Sequence, residues 1–237
     1  LAIATGGGDG DLQAGVDELA GRYEATHADT AGTWAIQTGM LARQRGAFAA
    51  LVPTLRAMVE DRPGIGAKWV APFGLALVAA GEEVEAAAVL GRLDLPPLDY
   101  FWLTTMQTVA ELAVALGDRA WQERCVELLT PFASQLGLTA SGSVCFGLVS
   151  TTLGQLAVAQ GRYDDAVNLL RDAVARSALI GASFESVRAR RQLALALLER
   201  GETAEAAVLV ADARSDAVAA GFDGEARLLE AMAAPRD

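Results

Sequence analysis

Residues 153–170, LGQLAVAQGRYDDAVNLL, place a small residue and an aliphatic residue at fixed distances from a central glycine. Gly154 lies seven residues before Gly161, and Leu170 lies nine residues after it. The same arrangement recurs around four other glycines, at successive spacings of 35, 36, 44 and 40 residues: Gly46, Gly81, Gly117 and Gly201. The small residues there are Gly39, Gly74, Ala110 and Ala194, and the aliphatic ones are Leu55, Leu90, Val126 and Val210. Such self-similarity predicts an array of helix pairs. Each pair folds at a glycine in the left-handed conformation that ends a helix.

The rest of the chain fits an all-α protein. Alanine and leucine are abundant and β-branched runs are few, so we expect almost no strand. We predict helix pairs at about 33–61, 66–92, 99–136, 143–180 and 184–220, a helix that starts near Asp11, and a short last helix near 224–234. Residues 1–10 are predicted to be a flexible end, and residues 11–237 a single domain. The chain lacks an initiator Met and a signal segment, which favours a piece of a longer polypeptide.

Charge and hydropathy exclude two classes of partner. The formal net charge of −11 argues against a phosphate-binding surface, so we expect no direct binding of nucleic acid by this segment. The longest apolar stretch, residues 69–80, is too short to span a bilayer, so we expect no membrane segment. Cys125 and Cys145 are expected to be free thiols of a protein in the reducing cytoplasm.

Catalytic chemistry has no candidate residues in this sequence. His27 is the only histidine, which leaves neither a metal-ligand set nor a base for a cysteine nucleophile. The Gly-rich residues 6–10 lack the Gly-Lys-Ser/Thr ending of a phosphate loop. We therefore predict no catalytic residue, no cofactor and no metal.

Part of the quoted stretch carries a family resemblance. Leu153-Gly154, the run from Gln160 to Ala166, Leu170 and Ala173 resemble the tetratricopeptide-repeat pattern through both helices. The sequence departs from that pattern at Ala178, where the family favours proline, and in the longer spacing of the later repeats. The resemblance implies a right-handed α-solenoid of about five tetratricopeptide-like helix pairs with flanking helices.

A second resemblance covers nearly the whole chain from Gly32 onward. The segments MLARQRGAFAALVPTLRAMVEDRPG (40–64), ELAVALGDRAWQERCVELLTPFA (111–133) and ARRQLALALLERG (189–201) are similar to the C-terminal helical region of actinobacterial regulators. In that family an AAA-type signalling ATPase module precedes the repeats, often with a LuxR-type helix-turn-helix or a nucleotide-cyclase domain.

The resemblance implies a non-enzymatic protein-interaction or effector-sensing region of a larger transcriptional regulator. Its partner would be a protein, an upstream domain of the same polypeptide or a small-molecule effector. The alternatives are a stand-alone adaptor that binds a partner peptide, and an enzyme with an unrecognised site in the groove.

The first helices of tetratricopeptide-like arrays line a concave surface, on which we expect recognition. Offsets of thirteen, ten, six and three residues before the turn glycine lie on one helical face. Applied here, they nominate a polar stripe for binding an anionic or polar effector, or an acidic protein segment: Thr104, Gln107, Glu111, Thr151, Gln155, Arg188 and Arg191. Alternatively, the stripe is only exposed to solvent, and the arginines 188, 190 and 191 pair with acids of a neighbouring helix.

Overall fold

The computed structural model describes residues 14–18, 30–61, 67–139 and 144–233, and these are mostly helical. Residues 14–18 are helical. Five helix pairs follow among the described residues, and we number their helices in chain order: α1 Thr30–Gln44 with α2 Val52–Asp61, α3 Ala67–Ala79 with α4 Glu83–Leu90, α5 Trp102–Ala115 with α6 Arg119–Leu129, α7 Val149–Ala159 with α8 Tyr163–Leu179, and α9 Ser183–Glu199 with α10 Thr203–Ala219. Short 3₁₀ helices lie at Phe48–Leu51 and Thr130–Phe132, and helix α11 spans Asp223–Ala233.

The all-α prediction and the glycine turns are confirmed. Each of the five turn glycines has a positive φ, of 65°, 79°, 67°, 73° and 82° for Gly46, Gly81, Gly117, Gly161 and Gly201. The predicted flexible residues 1–10 and His27 lie outside the described residues, so neither prediction is tested. Within the described part of the chain, no helix is both long enough and apolar enough to cross a membrane.

The small residue of the repeat lets two helices approach closely. Leu170 on α8 is fully buried, and a Cβ built on Gly154 of α7 would lie only 2.5 Å from Leu170 Cγ. Gly74 on α3 makes the same kind of approach to the next pair, since its Cβ would lie 2.5 Å from Leu112 Cδ2 on α5. Small and large side chains therefore interlock both within and between pairs.

A two-stranded hairpin interrupts the helical array between α6 and α7. Strand β1, Leu136–Leu138, pairs antiparallel with strand β2, Cys145–Leu148, and Gly137 lies opposite Gly147. The sequence prediction that the fourth helix pair begins near residue 143 is therefore wrong, because α7 begins at Val149. Two paired glycines, one with a φ of 101° at position 147, favour this extended segment over a helix.

The array of helix pairs closes on itself, because helix α11 packs against helix α1. Helices α1, α3, α5, α7, α9 and α11 pack in succession, and α11 contacts α1. At that contact Gly224 lies against the turn at Gly46, and a Cβ at Gly46 would lie 2.9 Å from Gly224 Cα. Arg227 Nη2 donates to the carbonyl oxygens of Arg45 and Gly46, each at 3.0 Å. These helices enclose a space that we call the interior.

Candidate functional site

Six charged side chains meet in the interior and form what we call the inner charge cluster: Arg43, Glu111, Glu185, Arg188, Arg191 and Glu225. At its centre the Glu111 carboxylate accepts from Arg43 Nη2 and from Arg188 Nη2, each at 2.6 Å. Arg43 lies 68 residues before Glu111 in the chain, and Arg188 lies 77 residues after it. One carboxylate therefore ties together the first, third and fifth helix pairs.

The outer members of the cluster complete a balanced set of three arginines and three glutamates. Arg188 Nη1 lies 3.3 Å from Glu185 Oε2, and Arg191 Nε donates to Glu225 Oε2 at 2.6 Å. Arg188 and its two glutamates are at least 93% buried, with side-chain exposures of 5%, 7% and 4%. These ions are removed from solvent and depend on each other for stabilisation.

Burial and ion pairing set the pKa values of the glutamates in opposite directions. Burial opposes ionisation of Glu111, but the guanidiniums of Arg43 and Arg188 outweigh it, so the pKa of Glu111 is lowered. The pKa of Glu225 is lowered in the same way, chiefly by Arg191 against burial. For Glu185, burial outweighs the attraction of Arg188 and the pKa is raised. The cluster therefore contains one acid that ionises less readily than its neighbours.

The hairpin is bound to this cluster through its backbone. Gln107 Nε2 donates to the carbonyl oxygen of Gly147 at 3.2 Å, and Arg188 Nη1 donates to that of Phe146 at 3.3 Å. The amide of Leu148 donates to Glu185 Oε1 at 3.0 Å. Side chains of helices α5 and α9 thus bond to the main chain of three consecutive residues of strand β2, which are Phe146, Gly147 and Leu148.

The structure brings most of the predicted polar stripe together, but inside the array rather than on an open surface. Gln107, Glu111 and Arg188 contact the hairpin or each other, and the Thr151 hydroxyl donates to Glu185 Oε1. All four are buried. The sequence analysis placed these four on a concave surface for recognition, but they are buried, and the hairpin contacts Gln107 and Arg188.

The other members of the stripe lie at its edges. Thr104 is buried, and its hydroxyl donates to Phe101 O next to its own helix. Gln155 is half-buried on α7. Arg191 is half-buried and pairs with Glu225 on α11, whereas Arg190 pairs with Asp216 on α10. The arginine run therefore pairs with acids of neighbouring helices and of the interior.

Sequence reasoning missed Arg43, Glu185 and Glu225. Arg43 lies three residues before Gly46, so the same offset rule would have found it at the first turn glycine. Glu185 lies three residues before Arg188, on the same helical face, and extends the same stripe. Glu225 precedes no repeat glycine, because the last of them is Gly201, so the repeat pattern gave no signal for it.

Little space remains in the interior. A cavity of about 10 Å³ lies beside Arg188, Glu185 and Phe146, which is the volume of about one water molecule. A second cavity, of about 50 Å³, is also lined by Phe146, and its mostly apolar lining includes Ile36, Trp69 and Pro72. A ligand that contacts the inner charge cluster must therefore displace a part of the protein.

Other kinds of site find no support in the described part of the chain. No three His, Cys, Asp or Glu side chains there converge in a way that could hold a metal ion. Both cysteines are free, and burial raises the pKa of the Cys125 thiol to about 12 and also raises that of Cys145. Neither thiol is activated as a nucleophile.

Comparison with protein-family models, with curated proteins and with solved structures gives no match.

Proposed function

We propose that the chain is a tetratricopeptide-like α-solenoid that serves as a non-enzymatic protein-interaction or effector-sensing region of a larger transcriptional regulator. The observation that supports this is the inner charge cluster, where Glu111 joins Arg43 and Arg188 from distant helices. A buried ion pair contributes less to stability than a well-packed apolar pair of similar volume. Six charges at the centre of the array therefore favour recognition or switching over simple packing.

The cluster also suggests the chemistry of the effector. The guanidiniums of Arg43 and Arg188 are fork-shaped donors that suit carboxylate or phosphate groups. An anionic effector, or an acidic segment of an adjoining domain, would compete with Glu111 for these two arginines. Such a ligand would favour an opened arrangement of the helices over the closed one. The size of this shift is set by the difference between the ligand's affinities for the opened and the closed arrangement.

Two features argue against the enzyme alternative. The described residues offer no activated thiol, since burial raises the pKa of both cysteines. The central carboxylate of Glu111 is occupied by two arginines, and its lowered pKa makes it a poor proton carrier at neutral pH. A stand-alone adaptor differs from the proposed regulator only in the domains attached to it.

Thermal shift with matched arginine variants tests this proposal. We would titrate citrate, inorganic phosphate and the purified adjoining module of the same polypeptide into the wild-type chain. A ligand at a hundred times its dissociation constant stabilises the native state by about 2.7 kcal/mol. For a chain of this length the melting temperature should rise by about 5–10 °C.

The variant Arg43→Gln should lose most of this shift, because Arg43 is one of the two arginines for which the ligand competes and is the more exposed of them, with a side-chain exposure of 25% against 5% for Arg188. Arg171→Gln is the matched control, since Arg171 forms an exposed pair with Glu205 away from the interior. Equal shifts in the wild type and both variants would show that recognition takes place elsewhere.

A further inference from the structure

Strand β2 is held in the interior as a peptide would be held in a binding groove. Arg188 donates to Phe146 O, Gln107 donates to Gly147 O, and Glu185 accepts from the Leu148 amide. All three of these strand groups belong to the main chain. These helical side chains are buried and come from two different helix pairs. Main-chain hydrogen bonds provide affinity for an extended segment, and side-chain pockets provide specificity.

The site also discriminates between side chains. Gly147 has a φ of 101°, and a Cβ at this position would overlap the Glu185 carboxylate, so the site accepts only glycine there. The neighbouring Phe146 lies between the cavity beside Arg188 and the apolar cavity of about 50 Å³ lined by Trp69 and Pro72. The sequence that fits is an aromatic residue, glycine and an aliphatic residue in extended conformation.

The present occupant fits the site incompletely. Gln107 Oε1 and Arg188 Nε are buried and have no hydrogen-bond partner among the described residues. The hairpin has only two short strands, and their register is irregular between Gly137 and Leu138. A hairpin of two strands is marginally stable by itself, so the contacts with α5 and α9 keep β2 in place. Another segment could satisfy these groups better.

From these contacts we propose that the interior is a binding site for an extended aromatic-glycine-aliphatic peptide segment, and that β2 occupies this site in cis until a partner's segment displaces it. The inference rests on the proposed function, because it takes the interior as the recognition surface. It names the ligand class: a protein segment that presents the chemistry of Phe146, Gly147 and Leu148. Displacement of β2 also provides the space that an interior ligand lacks in the closed array.

Peptide binding to the full chain tests the proposal. The probe is a fluorescent peptide with the sequence of residues 143–150 and serine in place of the cysteine. Phe146→Ala in the chain removes the anchor of the cis occupant and leaves Gln107, Glu185 and Arg188 unchanged. By fluorescence anisotropy, this variant should bind the peptide at least about tenfold more tightly than the wild type, because the cis strand competes less.

Two controls make the result specific. A peptide with alanine in place of its glycine should bind F146A at least about tenfold more weakly, because the added methyl group meets the Glu185 carboxylate. Leu138→Ala in the chain should bind the original peptide like the wild type, because Leu138 is exposed on β1. Equal binding of the glycine and alanine peptides would overturn the proposal.

Thiol labelling of a Cys125→Ser chain gives a second measurement that does not depend on the folding of F146A. The peptide should accelerate labelling of Cys145, because displacement exposes β2. An unchanged labelling rate of Cys145, together with a dissociation constant above about 1 mM for the peptide and folded F146A, would show that β2 has only a structural role. If the wild-type chain were a dimer that the peptide converts to a monomer, the β2 strand of a second copy would be the occupant of the site. That result would overturn the proposal of cis occupancy. If the peptide fails to bind but the thermal shifts with ligand still depend on Arg43, the proposed function stands and only this inference is overturned.

Discussion

Replacing Glu111 with glutamine should lower the free energy of unfolding by about 3–5 kcal/mol, the loss that follows when one partner of a buried ion pair is removed. The amide keeps the shape of the carboxylate but leaves Arg43 and Arg188 without their shared negative charge. Urea denaturation monitored by circular dichroism measures this loss. Glu123→Gln is the matched control, because Glu123 forms an exposed pair with Arg119 and should change stability by less than about 1 kcal/mol. A loss for E111Q no larger than the control's would mean that the cluster does not hold the pairs together.

The contribution of Glu111 should also depend on pH. Its folded-state pKa is lowered below the unfolded value of about 4.3, so its stabilisation is present above that pH. Stability should then fall as the pH drops below about 4.3 toward the folded pKa. The difference in unfolding free energy between wild type and E111Q should accordingly narrow from pH 7 to pH 3.5. Glu185 has a raised pKa and the opposite sign, so E185Q should not show this narrowing. A difference that is constant across this range would contradict the ionic role of Glu111.

Leu170→Ala should cost about 2–5 kcal/mol of stability, the range for removing a buried leucine from a packed core. Leu170 is fully buried between the helices of its pair and opposite Gly154. Leu179→Ala on the same helix is the control, since Leu179 is 86% exposed and its loss should stay within about 0.5 kcal/mol. Chemical denaturation of both variants gives the comparison, and a loss below about 0.5 kcal/mol for L170A would show that the repeats are misaligned.

A second substitution shows whether the contact itself is responsible. In the wild type, Gly154→Ala places a methyl group against Leu170 and should destabilise the fold by about 1–3 kcal/mol. In the L170A background the same methyl group enters the space that the leucine side chain occupied. There, Gly154→Ala should destabilise the fold much less or should stabilise it. A coupling of about 0.5–3 kcal/mol in this double-mutant cycle is expected. Additive effects would mean that Gly154 is needed for another reason.

The repeat and its turns could be predicted from the sequence because they are set by local requirements. A helix end at Gly161 needs a positive φ, and the approach of α7 to α8 needs a small residue opposite Leu170, so both leave a mark at fixed spacing. The hairpin left no comparable mark. Its conformation depends on Gln107 and Glu185, which are distant in sequence, and the glycines 137 and 147 that permit it resemble ordinary loop glycines.

The site could be predicted only in part for a similar reason. Helical periodicity placed Glu111 and Arg188 on inward faces, since that follows from the local geometry of each helix. Periodicity could not show that α11 returns to α1, and it gave no signal for Glu225 of α11, which pairs with Arg191 of α9. Closure is a property of the whole superhelix and accumulates from small rotations at every pair.

The contact of Gly224 with Gly46, together with the bonds from Arg227 to the first turn, makes a linear array into a loop. In an open array each repeat touches only its neighbours, so folding can nucleate anywhere and the ends can fray. Here the two ends share one contact surface over a separation of more than 180 residues, and closing so long a loop has an entropic cost. Such distant contacts slow folding, so the ends should join after the individual pairs have formed. Once joined, helices α1 and α11 can no longer unravel independently of each other.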